Sequence, residues 1–236
     1  IEQNWLPGGC SSSYPRKHYI FESGATTLVG VDQHMPLKYL LDTTGIQLNP
    51  TVLEVPMRVY LKDGSMMTRY HDLEQWIHEA ERVFGSKGQR AFWEYCFKIS
   101  QFVWETSLKQ RIFPPSKLID LWHAARNFQP KQLSFATLAY RSMDKLFNAQ
   151  LLITAQNKLE EVNVLFGATA LCYTNYTNYY MPGGLLQLVD PMVMYIERLG
   201  GSVLLRETVE KFVPRSGQYE ITTDKATHQA KAVVSS

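Results

Sequence analysis

The sequence predicts an α/β fold in which a mixed domain is split in two and a mainly helical block is inserted between the halves. Three observations carry this. An acidic residue at the end of a short apolar segment, Glu2, is followed by a Gly8-Gly9 turn. Residues 72–175 read as successive helices, and the stretch from Met181 reads as a helix, a strand and a three-strand meander. The expected divisions are residues 1–50, 51–180 and 181–236, the first and third belonging to one domain and the second carrying a β-hairpin and helices.

In chain order, Ile1 and Glu2 read as the end of a strand, and Pro7-Gly8-Gly9 as a turn whose glycines let backbone approach a ligand closely. A carboxylate before such a turn suits a ribose, and the turn itself suits a pyrophosphate, so this stretch reads as half of a dinucleotide site. The hydroxyls of Ser11, Ser12 and Ser13 suit phosphate oxygens, and equally suit a plain loop. Tyr19-Ile20-Phe21 reads as a strand that returns toward the same site, with Thr26 and Thr27 beyond its far end. Pro36 opens a short helix through Leu41 that stops near Gly45.

Met57 to Leu61 and Met66 to Tyr70 alternate about Asp63-Gly64, a strong hairpin signal. Asp72 and Gln75 have capping-box spacing, and Leu73, Trp76, Ile77, Ala80, Val83 and Phe84 follow at helical intervals up to Gly85. From about Lys87 to Lys109 the polar residues Glu94, Lys98, Gln101 and Glu105 form one narrow stripe, and the rest of the surface is aromatic and aliphatic. Such a helix either fills a core or lines an apolar cavity. Pro114-Pro115 and Pro130 bracket a helix capped by Ser116, and further helices are expected at about Ser134 to Phe147 and Glu160 to Tyr173. The tyrosines between Tyr173 and Tyr180 suit a pocket mouth or packing with wet hydroxyls.

Leu185, Leu188, Val189, Met192, Val193, Ile196 and Leu199 keep helical spacing up to Gly200-Gly201, with Pro191 expected to kink or break the helix. Strands are expected at Ser202 to Leu205, Thr208 to Val213, Gly217 to Thr222 and Gln229 to Val234.

The composition argues against several classes. With 24 basic and 22 acidic residues, a net charge of +2 and no long run of like charge, nucleic acid is not an expected partner. The three cysteines stand apart, without the spacing of a metal site or a disulfide framework, and the expected metal set is none. No apolar run reaches the ~18 residues that span a bilayer. No Ser/His/Asp set or carboxylate pair stands out, so the catalytic residues are unassigned. The histidines read as isolated surface, core or turn residues.

With Glu2, Gly8-Gly9, Phe21-Glu22-Ser23-Gly24, the Asp63-Gly64 hairpin and Met181-Pro182-Gly183-Gly184 leading into the helix to Gly200-Gly201, the chain resembles the FAD-dependent phytoene desaturase and carotenoid isomerase family. The resemblance covers nearly all of the sequence. It implies a partial, split Rossmann-like FAD-binding domain with an inserted substrate domain. The glycine-rich strand–turn–helix that precedes the acidic residue in that family, and its C-terminal flavin segment, are expected to lie outside this stretch, which would be inactive alone. By the same resemblance Glu2 holds the adenosine ribose, Gly8 and Gly9 pass the pyrophosphate with Ser11 and Ser12 beside it, Thr26 and Thr27 run toward the flavin ring, and the backbone of Val209 meets adenine. Cys10 stands where many relatives have a basic residue, and the Cys-Ser-Ser form is similar to the isomerase branch.

The resemblance implies an FAD enzyme that desaturates or isomerises an apolar isoprenoid or carotenoid. Its location would be cytoplasmic or plastid-like, with peripheral membrane contact left open. Two alternatives stand beside it: a related flavoprotein oxidising an amine, retinoid or porphyrinogen, and a non-catalytic apolar-ligand or interaction module. The oligomeric state is unassigned.

Overall fold

The computed structural model describes residues 1–33, 35–109, 119, 122, 126, 134–135, 137–145 and 158–235. The helix expected from Ser116, for the most part, and Pro114, Pro115, Pro130, His34 and His123 lie outside them. The architecture is mixed α/β, as the sequence predicts. In chain order the elements are β1 (Ser13–Arg16), β2 (Tyr19–Glu22), α1 (Pro36–Thr44), β3 (Thr51–Val52), β4 (Met57–Tyr60), β5 (Met66–Arg69), α2 (Leu73–Phe84), α3 (Gln89–Lys109), α4 (Val164–Leu171), β6 (Tyr179–Tyr180), α5 (Leu186–Arg198), β7 (Val209–Arg215), β8 (Gln218–Thr223) and β9 (Thr227–Ala230). They fall into two compact units, one of Ile1–Thr27, Ile46–Thr51 and Tyr180–Ser236, the other of Leu28–Gly45 and Val52–Tyr179.

The second unit holds the larger core. Asp63 accepts from the backbone N–H and the hydroxyl of Ser65 at 2.9 and 2.6 Å, and Gly64 takes φ +83°, so the turn closes and pairs Tyr60 with Met66 and Met57 with Arg69. Asp72 caps α2 by accepting from the Gln75 N–H at 2.9 Å. Trp76, Ile77 and Ala80 of α2 meet Phe92, Trp93, Cys96, Ile99 and Phe102 of α3 and the inner face of α4. Trp76 and Trp93 lie edge to face at 4.9 Å, which adds a directional term to area burial. The core reading of α3 therefore holds for its most buried face, and its polar stripe lies outward.

Arg69 is buried in this core and, among the described residues, pairs with no carboxylate. Its guanidinium lies over the rings of Trp76 at 3.9 Å and Trp93 at 5.1 Å and donates to the Leu171 carbonyl. Burial lowers its pKa to about 10. The tyrosines of 173–179 pack with their hydroxyls bonded: Tyr176 donates to Ser100 Oγ at 3.0 Å, and Tyr179 meets Asp32 at 3.3 Å.

Three helix expectations need correction. In the helix expected at about Ser134 to Phe147, Ser134 and Phe135 are helical, but Thr137–Tyr140 and Met143–Lys145 are separate 3₁₀ turns, because Ser142 leaves the helical path to bridge Asn163; Phe147 lies outside the described residues. The helix expected from Glu160 begins only at Val164, where Asn163 caps it by accepting from the Phe166 N–H at 2.9 Å. Pro191 does not break α5, which runs unbroken from Leu186 to Arg198. The bond it forfeits is the one to Gln187, in a first turn already held from outside the helix.

In the first unit β7, β8 and β9 form the meander, pairing Phe212 with Ile221 and Ile221 with His228, with a register shift between Val209 and Lys211. The third strand ends at Ala230 rather than continuing to Val234. Ser202 to Leu205 is not a strand. Its one bridge, Leu205 to Glu2, is parallel, because its partner is the distant start of the chain. A hairpin of β1 and β2, not foreseen as a pair, turns at Lys17, which takes φ +56°.

Candidate functional site

The residues that sequence reasoning singled out gather in the first unit. Glu2 donates its N–H to the Leu204 carbonyl at 2.8 Å and accepts from the Glu207 N–H at 3.0 Å, and Arg206 donates to the Asn4 carbonyl at 2.9 Å. This short parallel ladder fixes the backbone of Glu2 beside the entry to β7. One carboxylate oxygen, Oε1, accepts both the backbone and the side-chain amide of Asn4, at 2.7 and 2.8 Å. The other, Oε2, has no hydrogen bond among the described residues, so the Glu2 carboxylate is held by one oxygen with the second free to accept.

Glu2 and Val209 both line a cleft of about 630 Å³, together with Glu207, Lys211, Phe212 and Val233. That volume lies within the range of small-molecule and cofactor sites, roughly 300–1,000 Å³. A second cavity, about 290 Å³, is lined by Asn4, Trp5, Leu6, Gly9, Ser12 and Tyr14. Asn4 thus bonds a residue that lines one cavity and itself lines the other.

The Gly8-Gly9 turn lies between these features in the sequence. Gly8 has φ +102°, and a Cβ there would stand 2.8 Å from Val189 Cγ2 of α5. Gly9 has φ +53°, with nothing within 4 Å of where its Cβ would be. One glycine is needed for packing, and the other leaves backbone open to close approach. The turn continues as a 3₁₀ segment, Gly9–Ser11. The end of β2 folds back over it, since Ser23 N–H donates to Ser12 O at 2.8 Å and Ala25 N–H to Cys10 O at 2.9 Å.

The serines divide differently from expectation. Among the described residues neither Ser11 nor Ser12 makes a side-chain hydrogen bond, whereas the Ser13 hydroxyl donates to Glu22 Oε2 at 2.6 Å and accepts from the Leu186 N–H at 3.3 Å. Glu22 in turn accepts from the Leu185 N–H at 3.2 Å, so a serine and a carboxylate from the hairpin cap α5 from outside. The Phe21-Glu22-Ser23-Gly24 motif signalled this position without revealing its partner. Thr26 and Thr27 line neither of the two cavities.

Sequence reasoning missed one pair entirely. His228, read as isolated, has Nε2 at 2.6 Å from Glu207 Oε1, to which the Thr223 hydroxyl also donates at 2.7 Å. The Thr223 bond first, and His228 next, hold the Glu207 carboxyl below the usual carboxylate range. The two residues are brought together only by the pairing of β7, β8 and β9, and no local pattern could have signalled them. Among the described residues no group of three His, Cys, Asp or Glu side chains is arranged to hold a metal ion. No described helix is long and apolar enough to cross a membrane.

The geometry defines a protein with a bridge-held carboxylate and an antiparallel meander about one cleft, and a two-glycine turn whose second glycine lines another cavity. The particular family follows from its sequence: over residues 2–236 the chain belongs to the flavin containing amine oxidoreductases. FAD is therefore its family's cofactor. The chain is similar to an all-trans-retinol 13,14-reductase of Danio rerio, with 24% identity over 90% of this chain and 38% of that protein. In fold it is similar to a fatty acid isomerase that produces CLA, from P. acnes, with a TM-score of 0.51 and 13% identity over 98% of this chain and 50% of that one. A redesigned putrescine oxidase gives a TM-score of 0.50 and 11% identity, over 98% of this chain and 50% of that one. The chain thus spans about two fifths of the curated relative and half of each of these solved chains.

Proposed function

We propose that this chain supplies the adenosine-binding wall of a split, Rossmann-like FAD domain in an oxidoreductase acting on an apolar isoprenoid polyene. The observation that carries the reading is the meeting of Glu2 and Val209 in one cleft of about 630 Å³ within a chain of the flavin family. The residues present fit the group. Glu2 Oε2 would accept a ribose hydroxyl as a charge-assisted hydrogen bond while Asn4 holds Oε1. The backbone of Val209 would meet the adenine edge, and the bare Gly9 backbone would let the pyrophosphate pass beside Ser11 and Ser12. Thr26 and Thr27 would continue toward the ring. Bound FAD supplies the capacity to exchange hydride with the substrate.

An isoprenoid substrate is supported by the aromatic residues of the second unit, where Phe97 and Trp104 approach the Tyr176 ring at 5.7 and 6.1 Å. The similarity to a retinol reductase favours a conjugated isoprenoid over an amine. It also adds double-bond reduction to desaturation and cis–trans isomerisation. Contact with a membrane surface, where such substrates partition, belongs to the same reading.

The test uses the complete natural protein that carries this chain. It should purify with bound flavin, lose it on Glu2→Ala, and convert a carotenoid or retinoid offered in detergent micelles, with product identity read by chromatography. A colourless protein to which added FAD does not bind would refute the cofactor assignment. A flavoprotein that oxidises amines and leaves both polyenes untouched would refute the substrate class.

A further inference from the structure

We propose that Glu207, with His228 as its partner, is the positioning residue that sets the ribose ligand and the adenine-facing strand in register, so that it controls affinity for the adenosine half of the cofactor. This rests on the cleft reading given above. Glu207 is 7% exposed and belongs to no strand, yet it lines the cleft and joins Glu2, another lining residue, to the ends of β8 and β9 behind it. Its backbone N–H bonds the Glu2 carbonyl at 3.0 Å. Its side chain takes the Thr223 hydroxyl at 2.7 Å from the end of β8 and meets His228 Nε2 at 2.6 Å on β9. Two residues later the chain becomes Val209.

The surrounding turn is tied to the same point. Thr208 and Asp224 exchange hydrogen bonds, the Thr208 N–H to Asp224 Oδ1 at 2.9 Å and the Asp224 N–H to the Thr208 carbonyl at 3.1 Å. Thr223 Oγ1 accepts the Ala226 N–H at 2.9 Å. A buried carboxylate keeps this arrangement only while its acceptors are filled, and truncating it leaves Thr223 and His228 without their shared partner. The Glu2 backbone and the start of β7 then lose their common anchor. No atom of Glu207 need touch the cofactor for this to weaken binding, since a charge-assisted hydrogen bond falls off steeply with misalignment.

The experiment uses the complete natural protein, freed of flavin, with ADP and FMN as separate probes of the two halves of FAD. Glu207→Ala should raise the Kd for ADP about tenfold, the loss expected when one charge-assisted bond is misaligned. FMN binding should change by less than about twofold on the same scale. Glu207→Gln should recover most of the ADP affinity, because its amide oxygen can take the place of Oε1 and accept from both the Thr223 hydroxyl and a His228 Nε2–H. If Glu207→Ala does not fold by circular dichroism, His228→Ala provides the second variant, with the same selective loss for ADP. Equal loss for ADP and FMN would mark a merely structural role and overturn the proposal, as would unchanged ADP binding in either folded variant. If Glu2→Ala weakens ADP binding but neither of these does, the inference alone fails. If the wild-type protein does not bind ADP, the cleft reading fails and the inference with it.

Discussion

Gly184 is the position where one added methyl group should do most damage to the first unit. It has φ +86°, and a Cβ there would stand 2.6 Å from Ser13 Oγ and 2.9 Å from Ile20 Cγ2. The left-handed backbone alone costs a side chain about 1–2 kcal/mol. Forcing the Ser13 hydroxyl aside adds an overpacking cost of about 1–3 kcal/mol. It also disturbs the 2.6 Å bond to Glu22 and the cap on α5. Gly184→Ala should therefore destabilise by about 2–5 kcal/mol. Gly217 is the internal control: it has φ +79° in the same unit, and nothing lies within 4 Å of its added Cβ. Gly217→Ala should cost only the backbone part, about 1–2 kcal/mol. Urea unfolding followed by circular dichroism measures both. Equal losses would refute the steric argument, and so would a Gly184→Ala loss below about 1 kcal/mol.

Ellman's reagent should label one thiol in the native chain and three after unfolding in urea. Cys10 is exposed, while Cys96 and Cys172 are buried, and burial pushes the Cys172 thiol up to about 12. The stabilisation that Glu207 gains from its lowered pKa is present above its unfolded value near 4.5 and is lost as the pH falls through the lower folded value. Urea midpoints of wild type and Glu207→Gln should accordingly converge as the solution is acidified below about pH 4.5, and a gap that widens there would reverse the sign. Asp72→Ala removes the acceptor for the Gln75 N–H and should cost about 1 kcal/mol by the same urea assay, with Asp72→Asn retaining most of the stability.

What was legible in the sequence was local. The Asp63-Gly64 turn, the Asp72 cap with its partner three residues on, and the apolar face that ends at Gly200-Gly201 each depend on neighbours within one or two turns of chain. Family resemblance added Glu2 and Val209, which the fold brings to one cleft although 207 positions separate them. The unread parts depended on distant partners or on unusual backbone. Lys17 turns a hairpin with a positive φ that Gly or Asn would have advertised, and Leu205 pairs with the opposite end of the chain. The break expected as one outcome at Pro191 does not occur, and propensity cannot see that Ser13 and Glu22 support the first turn of α5. His228 gave no hint of Glu207, since only the folded meander of β7, β8 and β9 brings them together.

The parallel ladder between Glu2 and Leu205 also imposes an order of assembly. During synthesis the segment that carries Glu2 is made before the second unit, and its bridge partner Leu205 only after that unit. Until then the backbone groups of residues 2–4 lack their partners at Leu204 to Glu207, a period in which an unpaired edge invites misassociation. The entropic cost of closing so long a loop rises only logarithmically with its length, so the insertion is cheap at equilibrium. Its burden is kinetic. The Glu2–Leu205 bridge closes only when residues on both sides of the second unit have been made, by which time the helical core of that unit can already have formed.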